Sequence, residues 1–396
     1  MDLTEVRRAS NSDATARLGP SEASGEALQL LAAVDPIKWR ALADRVAEPN
    51  GYYLPGWQLA VNATAPGRTG ASALAAWNNN RLVGLVPVVS LARAYKIPLP
   101  ALVSAHPYGT LCTPFLDRDM AQVAGAQLMR QARNCGVHAL ILREVALDGA
   151  VMKAFNEILR GDGIRPRVLQ WHLRASLDAT RNADELMREA LGGRKLKELR
   201  RQRHRLAEHG TLSFEVARSR EEVTTAIETF LRLEASGWKG RRGTALVQVE
   251  GDAIFIRRAT QALAETGHCE IVTLRAGKTP VAAGVVLRHQ ARAFFFKLGV
   301  DERFAKYSPG VQLTLDLTRH LCADPSIRSA DSTASPDHPM INPIWRGRFA
   351  IGDVLMPLRP NDAIVPVIHA ALVLHSTARE LARWGAHAIR GSNSKR

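Results

Sequence analysis

The sequence predicts a mixed α/β fold in which one arrangement of strands and helices occurs twice. Three observations carry this. Residues 271–331 read as three strands, a helix and a fourth strand. Residues 73–144 follow the same order, with two strands and a loop before the helix. The most basic segment of the chain, 194–205, lies between the two. A length of 396 residues suits two domains of ordinary size.

Taken in order, residues 1–27 are polar and small and are expected to form a disordered tail. A helical pattern follows over 28–46. A loop then carries three aromatics, Tyr52, Tyr53 and Trp57. Strands are predicted over 73–77 and 82–89, joined by the turn Asn78-Asn79-Asn80. After the loop 104–109 come a helix over 120–132 and a strand over 138–144. In the second copy, strands span 271–275, 281–289 and 291–300. A helix spans 311–322, with Pro309 in its first turn and Ser308 as N-cap. A short strand over 327–330 ends at Asp331. The segment Arg81-Leu82-Val83-Gly84 stands against Thr279-Pro280-Val281-Ala282, 198 residues later.

Charge is uneven. Lys and Arg number 53 against 38 Asp and Glu, a formal +15. Seven basic residues and one acidic one fall within 194–205. Leu191, Leu196, Leu199 and Leu206 give this stretch a thin apolar stripe, which predicts a helix from about Asp184 to a C-cap at Gly210, with a break at Gly192-Gly193. Such a helix is either a solvated connector or a binder of phosphate on a cofactor, RNA or lipid. It lacks the interleaved aromatics that stack bases.

Composition and motifs exclude several classes. Cys112, Cys135, Cys269 and Cys322 are widely spaced, which disfavours a disulfide framework or a zinc site, so no metal is expected. Sparse cysteine fits a reducing cytoplasm. No secretory signal is expected, and the apolar stretch 363–374, interrupted by Pro366 and His369, reads as a buried helix. No nucleophile elbow, phosphate-binding Walker loop or dinucleotide fingerprint is present. What remains is an anion site at a helix start. Ser308-Pro309-Gly310-Val311 offers backbone N–H groups and a close approach at Gly310, with Arg303 and Lys306 just upstream.

At these residues the chain resembles a family. Glu234-Ala235-Ser236-Gly237-Trp238-Lys239-Gly240, Pro280-Val281-Ala282-Ala283-Gly284 and Phe296-Lys297-Leu298-Gly299-Val300-Asp301-Glu302 carry the likeness. Tyr307-Ser308-Pro309-Gly310, Ala330-Asp331-Ser332 and Trp345 complete it. Together they resemble the CelD-type (cellulose biosynthesis) acetyltransferases of the GNAT (Gcn-five-related N-acetyltransferase) superfamily, over about residues 195–355. The whole chain is similar to the tandem FemAB-like transferases. The resemblance implies tandem GNAT-like folds with mixed central sheets flanked by helices. It divides the chain into a tail (1–27), a degenerate first copy (28–180), a basic connecting helix (181–210), the acetyltransferase copy (211–360) and a C-terminal helix with a basic tail (361–396).

The resemblance also implies chemistry: an amine attacks the thioester of acetyl-CoA or another acyl-CoA. Phe296, Lys297, Leu298, Lys306, Ser308, Pro309, Gly310 and Val311 are then the cofactor-binding candidates. The usual Arg/Gln-x-x-Gly-x-Gly/Ala phosphate loop is replaced here by Lys306-Tyr307-Ser308-Pro309-Gly310-Val311. Asp331 is the base candidate and Tyr307 the acid for the leaving thiolate. The same positions suit a loop-capping aspartate and a packed aromatic. Trp238, Lys239 and His338 are the acceptor-side candidates. The expected enzyme is a cytoplasmic acyl-CoA N-acyltransferase acting on a small-molecule, glycan or lipid amine, in polysaccharide or cell-envelope synthesis. Two alternatives stand beside it: a FemAB-like transferase using aminoacyl-tRNA, and a non-catalytic accessory protein. RNA fits less well than a small acceptor. The charge is compatible with peripheral membrane or synthase-complex association.

Overall fold

The structure, a computed structural model, describes residues 28–393. The tail expected over 1–27 lies outside them. The first part of the chain contains β1 (Gln29–Leu30), α1 (Pro36–Ala43), α2 (Pro55–Thr64), β2 (Ser72–Asn78), β3 (Arg81–Ser90) and α3 (Leu91–Tyr95). It continues with β4 (Ala101–Ser104), β5 (Phe115–Leu116), α4 (Ala121–Asn134), β6 (Ala139–Ala146), α5 (Ala150–Gly161) and β7 (Arg167–Asp178). The basic helix is α6 (Ala183–Ala207). After it come β8 (Leu212–Ala217), α7 (Arg220–Ser236), α8 (Trp238–Arg241), α9 (Glu250–Ala264), β9 (Cys269–Ala276), β10 (Thr279–His289) and β11 (Arg292–Val300). The chain closes with α10 (Pro309–Ala323), β12 (Ser329–Asp331), β13 (Gly347–Pro357) and α11 (Ile364–Asn393).

Among the described residues the strands form one 13-stranded sheet, ordered β1-β2-β3-β4-β6-β13-β7-β12-β11-β10-β9-β8, with β5 on β3. The order is the same read inward from either edge. Each side has four strands in an antiparallel series, then a parallel pair (β4 with β6, β11 with β12), then one more antiparallel strand. That last strand is exchanged. β7, made before α6, pairs with β12, while β13, from the far end of the chain, pairs with β6. β7 and β13 then pair with each other across the middle.

Local chemistry explains the elements that frame the site. Helix α7 begins with a capping box, Ser219 and Glu222 each bonding the other's backbone N–H. Its Val223, Ile227, Phe230 and Leu231 recur at helical spacing and are buried. β10 is apolar on both faces, as a strand covered by helices on each side must be. One face packs into a core with Phe230 and Phe255, the other with Leu313 and Leu317 of α10.

The aromatic loop of the first copy differs from its expectation. Gly51–Tyr53 form a 3-10 turn and Trp57 lies in α2, with Tyr52, Tyr53 and Trp57 all buried. Trp57 meets Phe255 at 5.0 Å and Phe296 at 4.9 Å between ring centroids. Aromatic burial between copies, which local pattern does not encode, orders the segment. The helical pattern over 28–46 is likewise shorter, confined to α1 after β1 and a turn. Helix α6 is broken at Gly192, whose φ is +69°. Asn182 caps it, accepting from the N–H groups of Asp184 and Glu185. The apolar stretch 363–374 lies in α11, where Val365, Ile368 and Leu372 pack on β4, β6 and β13 residues. No described helix is long and apolar enough to cross a membrane.

Candidate functional site

The site exists because two parallel strands part. β11 pairs with β12 only from Arg292 to Phe294. β12 ends at Asp331, whereas β11 continues to Val300. The side-chain hydroxyl of Thr333 donates to the Phe295 carbonyl at 2.6 Å and closes the base of the opening. Beyond it lies a cleft of about 560 Å³. Its walls include Phe296, Lys297 and Leu298 from β11, Ser308–Val311 from the start of α10, and Trp238, Lys239 and His338 from flanking segments.

Helix α10 points its N-terminus into this cleft. Ser308 occupies the cap position, but its φ is +54° and its side chain makes no capping bond. The first-turn N–H groups therefore lack the usual hydroxyl partner, and the positive end of the helix faces the cavity. Gly310 keeps the approach open. A Cβ there would meet Leu298 Cδ2 at 2.9 Å and Met340 Sδ at 3.2 Å.

A buried carboxylate organises the cationic wall. Glu234 of α7 has a fully buried side chain. Its Oε1 accepts from Lys239 Nζ at 3.0 Å and Lys297 Nζ at 3.3 Å, and its Oε2 from the Leu246 N–H at 3.0 Å. Burial works against the charged carboxylate, but the two lysines and the amide hold its pKa below the ordinary range. Burial pushes the Lys297 pKa down against the pull of Glu234. Lys297 also lies 5.7 Å from the ring centroid of Tyr108, a first-copy residue whose hydroxyl donates to Asp252 at 2.6 Å. His338 Nδ1 faces the N–H groups of Met340 and Ile341 at 3.4 Å, which leaves the proton of the neutral ring on Nε2. Burial lowers the His338 pKa, favouring that neutral form.

Ten of the thirteen candidate residues meet at this cleft: Phe296, Lys297, Leu298, Ser308, Pro309, Gly310, Val311, Trp238, Lys239 and His338. Three do not line it. Asp331 is 1% exposed; its Oδ1 accepts from the Thr333 N–H at 2.7 Å and its Oδ2 lies 3.4 Å from Arg174. It is a turn-capping, ion-paired carboxylate, as its position at a strand end permits. The Tyr307 hydroxyl is 3.1 Å from His209 Nε2, and the side chain is buried beside α6. Lys306 is exposed and stands over the Tyr307 ring at 4.8 Å. Sequence reasoning did not single out Thr333, Tyr108 or Asp252. Tyr108 had one signal, its place in the Pro107-Tyr108-Gly109 loop of the first copy.

The corresponding strands of the first copy are bridged by a side chain. β4 pairs with β6 over 101–103, and the Arg143 side chain there donates twice to the Ser104 carbonyl, at 3.2 and 2.8 Å.

Comparison with known proteins bears on the fold. No curated protein matches the chain in sequence. The chain is similar in structure to FemX, with TM-score 0.56 and 12% identity, over 85% of this chain and 98% of that one. It is also similar to the C-terminal domain of a putative lysylphosphatidylglycerol synthetase from Agrobacterium fabrum, with TM-score 0.52 and 13% identity, over 86% and 96% of the two chains. L-PGS from Bacillus licheniformis gives 0.51 and 13%, with the same coverage. At such identities these likenesses establish a shared fold. Residues 193–338 match the acetyltransferase (GNAT) domain family. The stretch holding β11, the start of α10 and both lysines of the cleft thus falls within the match to the acetyltransferase (GNAT) domain family, in a mixed α/β chain of two like halves, and that match supports an acyltransferase.

Proposed function

We propose that the protein is an acyl-CoA-dependent N-acyltransferase, with acetyl-CoA the first donor to test and a primary amine as acceptor. The observation that carries this is the cleft where β11 leaves β12 in front of an uncapped α10 N-terminus. The pantetheine arm runs along Phe296–Leu298, and the pyrophosphate meets the N–H groups of Gly310 and Val311. The acceptor comes from the side of Trp238, Lys239 and His338.

The neutral amine nitrogen attacks the thioester carbonyl and the C–S bond breaks; the leaving thiolate takes a proton from a nearby donor, and the proton shed by the nitrogen restores that donor. Asp331 and Tyr307 are turned elsewhere, so the proton donors at hand are Lys297 and the Nε2–H of His338. No carboxylate is among the residues lining the cleft. A cationic wall disfavours an ammonium and favours thiolate and pyrophosphate, so the acceptor is bound as its neutral amine. The proposal extends to an acceptor from polysaccharide or cell-envelope synthesis, a reading supported by the CelD-type resemblance of the sequence.

Calorimetric titration with acetyl-CoA tests the reading. Binding is expected in the full-length chain and is expected to fall more than tenfold in Gly310→Trp, whose ring would fill the space between Leu298 and Met340. Absence of binding, or turnover with aminoacyl-tRNA and none with acyl-CoA, would overturn it.

A further inference from the structure

The basic helix α6 takes no part in the acyl chemistry just described. Its break at Gly192 has a geometric result. In one straight helix Arg188 and Arg200 would stand about 18 Å apart along the axis. With the break, both line a single cavity of about 230 Å³ between α6 and α10, together with Arg203, Arg319, Gln312 and Asp184.

The charges in this cavity do not balance. Arg203 pairs with Asp316 at 2.8 Å, and Arg319 reaches Asp316 and Asp184, each at 3.2 Å. Those two carboxylates serve two of the four guanidiniums. No ion pair among the described residues includes Arg188 or Arg200. Met187, Leu196, Leu199 and Leu315 supply apolar wall, while Arg188 and Arg200 themselves are exposed and reachable from solvent. Two unpaired guanidinium forks over an apolar floor match the oxygens of a phosphate, which arginine binds bidentately. The volume is below that of drug-sized ligand pockets and suits a single phosphoryl group.

We propose that the Gly192 break builds a phosphate site: the cavity between α6 and α10 takes one phosphate or phosphomonoester group, gripped by Arg188 and Arg200. Arg203 and Arg319 form its charged back wall. The group belongs either to the nucleotide end of CoA or to a separate phosphorylated molecule. Helix α10 allows the first, since it borders the cleft at Gly310 and the cavity at Gln312.

Titration of the full-length protein with inorganic phosphate tests the site without relying on acyl transfer. Wild type is expected to bind. Arg188→Gln/Arg200→Gln is expected to bind at least tenfold more weakly with an unchanged melting temperature. Lys195→Gln/Lys197→Gln, which removes equal charge from the same helix outside the cavity, is expected to bind as wild type. Gly310→Trp, with the cleft blocked, is expected to keep phosphate binding, so failure of the acyl-CoA reading leaves this result standing. A preference for CoA over 3′-dephospho-CoA that vanishes in the double arginine variant assigns the group to CoA. Phosphate binding that persists in CoA-saturated protein assigns it to a separate molecule. No binding to wild type, equal losses in the two double variants, or displacement by CoA and 3′-dephospho-CoA alike would overturn the site.

Discussion

Lys297 and Lys239 share one oxygen of Glu234, so removing either lysine leaves the buried carboxylate partnered. Lys297→Gln is therefore expected to fold normally and to lower kcat about 10²-fold, with little change in KM for acyl-CoA. Steady-state kinetics check this, and a rise in KM alone would make Lys297 a binding group only. Asp331 has the opposite character. Asp331→Ala would strand Arg174, itself 1% exposed, with Glu144 as its remaining ion-pair partner. Denaturant unfolding is expected to show a loss of about 3 kcal/mol, and turnover per folded molecule to stay near wild type. The family resemblance pointed to the cleft-lining residues, seven of which come from one strand and one helix start. It could not show which way Asp331 and Tyr307 turn. Their partners, Arg174 and His209, lie 157 and 98 residues away along the chain.

Helix α10 is held to the sheet by Glu270 of β9, which binds His320 at 2.8 Å, Arg218 at 3.0 Å and also Arg288. Burial opposes ionisation of this carboxylate, but its three partners outweigh burial and bring the pKa down to about 2. A carboxylate whose folded pKa lies below its unfolded value stabilises the fold above pH 4.5. That contribution, about 3 kcal/mol, disappears as pH falls from 4.5 towards 2. Glu270→Gln is expected to unfold more easily at pH 7 and to show a flatter loss of melting temperature over that acid range. A parallel decline in both proteins would refute the assignment. Elements with local signatures were legible: the β9–β10–β11 meander, the proline-started α10 and the glycine-broken α6. β7 and β13 were not. β7 has no clean period-two pattern of burial, because its first half is mostly exposed, Trp171 among it. A strand's neighbours in the sheet follow from the whole chain, not from its own residues.

The two halves share one core. Tyr52, Tyr53 and Trp57 from the first pack with Phe255 and Phe294 from the second. His289 of β10 accepts from the Asn50 N–H and donates to the Ala43 carbonyl, both at 2.9 Å. With β7 and β13 crossing as well, the chain is expected to unfold in one calorimetric transition. Two resolved transitions would mean that the halves are independent. The repetition was readable in the sequence as an order of elements. The exchange of end strands was not, because either pairing satisfies the same local pattern.

That exchange sets the order in which the molecule can be completed. β13 sits near the centre of the sheet, yet it follows every other strand in the chain. During synthesis β6 and β7 wait, each with an open edge, until β13 has emerged. Non-local strand pairing of this kind is slow and leaves edges exposed to wrong partners. The middle of the sheet can thus be completed only after every other strand has been made.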